Sequence, residues 1–96
     1  MTLRYSARAR SQLIAIHEHI EREGGIAAAR RIGASLSEAA TLLSHFPYAG
    51  RPGQVNGTRE WVVRRFPYLI VYEVNQGDPV DVLVLGVFHC RQDRET

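Results

Sequence analysis

Two adjacent glycines, Gly24 and Gly25, fall in the middle of a stretch with helical periodicity, and no other feature limits the possible folds as strongly. Before them Ala9, Leu13, Ile16 and Ile20 recur at spacings of 4, 3 and 4, which places four apolar side chains on one helix face. Ser6 stands where an N-cap is needed, and Arg8, Gln12, Glu18, Glu21 and Arg22 read as the opposite, polar face. After the glycines Ile32, Leu36, Ala39 and Leu43 repeat the stripe in a second helix expected from about Ile26 to Ser44. Glycine ends a helix because it enters positive-φ conformations without Cβ strain. Two amphipathic helices joined this way predict an antiparallel helical hairpin, with Gly33, Ala34, Ala39 and Ala40 allowing close approach. Neither stripe can be buried by one helix alone, so the hairpin needs a further surface.

The second half of the chain supplies it. Phe46 to Thr58 holds two Pro and several Gly and reads as loop. Arg59–Phe66, Tyr68–Asn75 and Val80–Cys90 are rich in Val, Leu, Tyr and Phe and read as strands. Gln76-Gly77-Asp78-Pro79 is the expected turn between the last two, and Pro67 marks a bend between the first two. Leu3-Arg4-Tyr5 suits a short strand ahead of the first helix. The expected order is β-α-α-β-β-β, an α+β fold in which an N-terminal helical hairpin packs on a small antiparallel sheet. Tyr68, Ile70, Tyr72 and Val74 on one face and Leu69 and Val71 on the other are apolar, as in a central strand covered on both sides. The hairpin is one cover; a partner protein, or a groove that takes one, is the other.

Length and composition narrow the function. Ninety-six residues suit one domain, spanning 1–96, and 45% hydrophobic with 23% charged residues suits a folded core. All 12 basic residues are Arg, so lysine chemistry is excluded. The single cysteine, Cys90, excludes an internal disulfide and the usual cysteine zinc sites, and fits a reducing, cytoplasmic setting. His17 and His19, two apart on a helix, face different directions and make a poor metal pair. No metal or cofactor is expected. The longest apolar run, Val82 to Phe88, is far short of the ~20 residues of a membrane span.

Two constellations remain. Arg51, Arg59, Arg64 and Arg65 face a single acid, Glu60, within a Gly-rich segment. Guanidinium groups bind carboxylate and phosphate in bidentate fashion, so this cluster reads as a surface for RNA, DNA or an acidic peptide. The plainer reading is a solvated strand edge with ordinary ion pairs. His89 and Arg91 form the second: a histidine at a strand end could protonate a leaving group while the arginine holds a phosphate, or both could belong to a frayed polar tail. Cys90 has no base on its side of the strand, since His89 alternates to the other face. Trp61, Phe66, Tyr68, Tyr72 and Phe88, spaced as in strands, read mainly as core rather than as stacking platforms for bases.

Taken together, Gly50-Arg51-Pro52-Gly53, Gly57-Thr58-Arg59-Glu60, Phe66-Pro67-Tyr68-Leu69-Ile70-Val71-Tyr72 and His89 with Arg91 and Asp93 resemble the RelE/ParE superfamily of bacterial type II toxins, and more closely its ParE branch. The resemblance covers almost the whole chain. It implies a growth-inhibiting toxin of a type II module, of the kind linked to plasmid stabilisation. It implies neutralisation by a cognate antitoxin whose C-terminal segment wraps the toxin, with promoter DNA bound only through the antitoxin. ParE-like members are known as inhibitors of DNA gyrase; RelE-like members cleave mRNA on the ribosome.

RelE-like toxins place an Arg after the Tyr of the middle strand and basic residues on the first strand, and they commonly carry Lys in the site. Here Leu69 follows Tyr68, the first strand reads Glu60-Trp61-Val62-Val63, and no Tyr follows Tyr72. These departures point to a non-enzymatic gyrase inhibitor, with Arg51, Arg59, Trp61, Arg64, Arg65 and Arg91 as antitoxin- or target-binding residues. The alternative is a ribosome-dependent mRNA endonuclease with His89 as general acid and Arg64, Arg65 and Arg91 around the phosphate.

Overall fold

The computed structural model describes residues 2–63, 66–77 and 80–90. Six elements follow in chain order: β1 (Thr2–Tyr5), α1 (Ala7–His45), β2 (Arg51–Pro52), β3 (Arg59–Val62), β4 (Tyr68–Asn75) and β5 (Asp81–His89). The expected hairpin is present inside α1. Gly25 has φ 87° and ψ 174°, outside helical space, and splits α1 into arms of residues 7–24 and 26–45. A straight helix of 39 residues would be ~58 Å long. The longest dimension of the molecule is 41 Å, so the arms fold back. Their stripes meet over the sheet: Ala9, Ile20, Ala29, Leu36 and Leu43 are buried in one cluster with Tyr68, Ile70, Tyr72, Val82, Val84 and Val87.

The strands form one sheet in the order β1-β5-β4-β3-β2. The expected antiparallel pairing holds from β3 to β5, whereas β1 lies parallel to β5, with Tyr5 opposite Val84, so the sheet is mixed. One residue separates β1 from α1. That residue, Ser6, donates its N–H to the Val84 carbonyl at 2.9 Å and its hydroxyl to the Leu85 carbonyl at 3.1 Å. The same hydroxyl accepts the Ala9 N–H at 3.0 Å, the N-cap bond that the sequence predicts.

Three local features depart from the sequence reading. Gln12, expected on the polar face of the first arm, turns to the sheet and accepts the Val87 N–H at 2.8 Å. The reason lies in β5, where the register shifts between Val71 and Tyr72 and leaves Leu85 as an extra residue. β1 stops at Tyr5, so the strand beyond this bulge has lost its neighbour, and Ser6 and Gln12 satisfy its polar groups instead. The second departure is β2: the stretch read wholly as loop contains a two-residue strand pairing Arg51 with Glu60 and Pro52 with Arg59. Thirdly, β3 ends at Val62, earlier than expected. The Val63 N–H bonds the Tyr68 carbonyl at 2.9 Å, closing a bend that includes Pro67.

The central strand is buried on both faces. Leu69 and Val71 cluster with Phe88 on the side away from the hairpin. Part of their cover comes from this chain: the Arg8 guanidinium lies 5.3 Å from the Phe88 ring centre, and Val55 and Thr58 of the β2–β3 loop border the same hollow. On the hairpin side a cavity of about 250 Å³ lies between the two arms and the sheet, lined by Leu13, Ile16, Ile32, Leu36, Ile70 and Val84 among others. Gly33 also borders it, and a Cβ there would meet nothing within 4 Å. Among the described residues no helix is long and apolar enough to cross a membrane.

Candidate binding surface

The chain leaves α1 through Phe46-Pro47-Tyr48-Ala49-Gly50, and one buried side chain holds this segment. The Tyr72 hydroxyl donates to the Pro47 carbonyl at 2.7 Å and accepts the Gly50 N–H at 2.9 Å. Burial pushes the Tyr72 phenol above its ordinary pKa, so it stays protonated and able to donate. Gly50 packs directly on this group: a Cβ would come within 2.6 Å of the Tyr72 oxygen and 2.8 Å of the Glu60 carbonyl oxygen. Only glycine fits this approach.

Arg59 completes the clamp. Its Nη1 donates to the Gly50 carbonyl at 2.8 Å and to the Tyr48 carbonyl at 3.3 Å. The guanidinium carbon lies 4.9 Å from the centre of the Tyr48 ring, a cation–π contact. The Tyr48 hydroxyl accepts from the Gln76 amide at 2.9 Å.

The basic cluster read in the sequence is split by strand alternation. Arg59 and Trp61 share the hairpin-side face with their partners Tyr72 and Ile70. Arg51 pairs with Glu60 on the other face. The Arg51 Nη2 lies 3.2 Å from the Glu60 carboxylate, which also accepts the Gln54 N–H at 3.3 Å. Glu60 is 5% exposed. Arg51 is thus neutralised within the chain. No carboxylate lies within ion-pair distance of Arg59 among the described residues.

His89 belongs to a different place. It is opposite Tyr68 in the ladder and packs edge-on to that ring, with centroids 5.7 Å apart. Arg59 is opposite Tyr72, four residues along β4, or about 13 Å away. His89 and the clamped Arg59 therefore do not form one constellation. Arg64, Arg65 and Arg91 lie outside the described residues. Cys90 is exposed. Among the described residues no group of three His, Cys, Asp or Glu side chains could hold a metal ion. His17 pairs instead with Glu21 one helical turn away, at 3.6 Å.

The sequence reading overlooked the exposed aromatics. Phe46 and Tyr48 are 65% and 50% exposed, in the segment read only as loop. With Leu42 and Trp61 they line an open apolar groove at the C-terminal end of α1. The available signal was two aromatics flanking a proline just past the last apolar stripe, where no helix or strand could bury them.

Comparison with known proteins decides the family: residues 3–94 match the profile described as ParE toxin of type II toxin-antitoxin system, parDE. The chain belongs to the ParE toxin family. A Sinorhizobium fredii protein named "Putative toxin Y4kP" is 37% identical to it over 90 residues, covering 94% of this chain and 88% of that one. Two solved structures share the ParE-family architecture. A chain of a chromosomal ParDE system from P. aeruginosa superposes with a TM-score of 0.81 at 24% identity, covering 93% of this chain and 95% of that one. A chain of the RelBE2 toxin–antitoxin complex from Mycobacterium tuberculosis does so with a TM-score of 0.65 at 27% identity, covering 92% and 95%. The RelE/ParE-type fold expected from the sequence is therefore present.

Proposed function

We infer that this ParE-family toxin acts by binding rather than by hydrolysis: it inhibits DNA gyrase in the bacterial cytoplasm and is held inactive by a cognate antitoxin. The observation that carries this reading is the environment of Leu69. Ribonuclease members of the superfamily place an Arg at this point, after the Tyr of the middle strand. Here the side chain is 1% exposed and packed with Val71 and Phe88. An apolar cluster offers nothing to stabilise a phosphate or to activate a 2′-hydroxyl. The antitoxin half of the reading is supported by the family and by the exposed groove, beside which Arg59 has no carboxylate partner among the described residues. Arg51, Arg64, Arg65 and Arg91 complete the proposed contact set, with Arg51 working through its pair with Glu60.

The test is a gyrase supercoiling assay run beside a ribosome-bound mRNA cleavage assay, with toxin freed of antitoxin. Inhibited supercoiling with intact message is expected. Cleaved message with normal supercoiling would overturn the proposal and favour the endonuclease with His89 as general acid; a His89→Ala variant of full toxicity would then remove that mechanism as well.

A further inference from the structure

Arg59 is a cation fixed in advance of any partner. Nη1 is held by two backbone carbonyls and the guanidinium carbon lies over the Tyr48 ring, while Nε and Nη2 have no acceptor among the described residues. These groups border a cavity of about 280 Å³ whose other walls include Pro52, Thr58, Val74 and Gln76. Tyr48 is also a wall of the apolar groove formed with Leu42, Phe46 and Trp61, so the two depressions are neighbours separated by one aromatic ring.

We propose that this pair of depressions is a two-part peptide subsite: the Arg59 pocket takes a Glu or Asp side chain, and the groove beyond Tyr48 takes an apolar side chain of the same segment. The proposal rests on the antitoxin reading above and names the chemistry of that contact. A prepaid orientation makes Arg59 a better carboxylate receptor than a free surface arginine, because less side-chain freedom is lost on binding. An acidic peptide fits better than a nucleic acid. Backbone phosphates are bound by several cations along a track. Here the neighbouring Arg51 lies on the opposite face and is paired with Glu60, and the adjoining surface is apolar.

Gln76→Glu tests the polar half. Gln76 is exposed and borders the Arg59 pocket, so the new carboxylate would occupy the subsite from within the chain at little risk to folding. Phe46→Ala tests the apolar half at a residue that is 65% exposed. The probe is the purified full-length antitoxin encoded by the adjoining reading frame, titrated against the parent toxin and each variant. Each variant is expected to weaken binding about ten-fold, the size of a lost charge-assisted hydrogen bond or a lost anchor. In a Glu→Gln and Asp→Asn scan of the antitoxin, one position is expected to matter for the parent toxin and to lose its effect against Gln76→Glu.

Tight binding by the parent with Gln76→Glu within two-fold of it overturns the subsite and leaves the antitoxin reading standing. No binding by the parent overturns both. Weaker binding of a poly-uridine oligomer to Gln76→Glu, with antitoxin affinity unchanged, assigns the pocket to phosphate and overturns the peptide proposal.

Discussion

The Tyr72 phenol donates to one backbone carbonyl and accepts from one backbone N–H, so a single oxygen closes the segment that follows α1. Tyr72→Phe keeps the ring in the core but takes this partner from the buried Gly50 N–H and the half-buried Pro47 carbonyl. The expected loss is about 1–3 kcal/mol in urea unfolding, at the upper end if no water enters. Near the N-terminus, the Arg4 guanidinium hydrogen-bonds the Asp81 carboxylate, with Nε 3.0 and 3.1 Å from its two oxygens, and this holds Asp81 below the ordinary carboxylate pKa. A carboxylate whose pKa is lowered in the folded state stabilises above its unfolded value, about 3.9, and that contribution fades as pH falls through the folded value. Both groups are solvent-screened, so the effect is small. Asp81→Asn is expected to unfold slightly more easily than the parent at pH 7 and to match it in strong acid, as read from urea midpoints across pH.

At the level of elements, the hairpin was legible because two 4-3-4 apolar stripes and a Gly-Gly junction all point one way, and Gly25 indeed takes a conformation that only glycine adopts freely. Gly25→Ala is expected to cost about 1–3 kcal/mol. Gly33→Ala, inside the second arm and facing open space, is expected to gain up to about 1 kcal/mol from helix propensity alone. Opposite shifts in thermal midpoint for these two changes check the assignment. β4 was legible to the residue, since the apolar run Tyr68-Leu69-Ile70-Val71-Tyr72 starts directly after Pro67 and Asn75 leads into the expected turn. What the residues did not show depends on contacts distant in sequence. β1 stops at Tyr5 and leaves β5 beyond its bulge without a neighbour on that side, which gives Gln12 an inward role. Likewise the division of Arg51 and Arg59 between two faces follows from their strands and pairing register, which a charge count over the segment averages away. The family pattern named both arginines; the packing separates the one paired with Glu60 from the one with no carboxylate partner among the described residues.

Considered as a whole, the molecule holds apolar space on both faces of its sheet. A hollow of about 250 Å³ lies over Val71 and Phe88, and the space between the arms and the sheet is of the same size, about 250 Å³. Protein interiors are otherwise packed like organic crystals, so empty space of this size is a reserve of volume that unfolding eliminates. Hydrostatic pressure acts on volume and on nothing else. The chain is therefore expected to be soft under pressure at temperatures where heat and urea report ordinary stability. High-pressure NMR should see the methyl groups of Ile16, Ile32 and Leu36, which line the gap under the arms, respond at lower pressure than those of Leu43 and Val82, which are fully buried and border neither space. Equal response would mean that the arms close the gap in solution. A selective response would make the helical hairpin, hinged at Gly25, a compressible part of the fold.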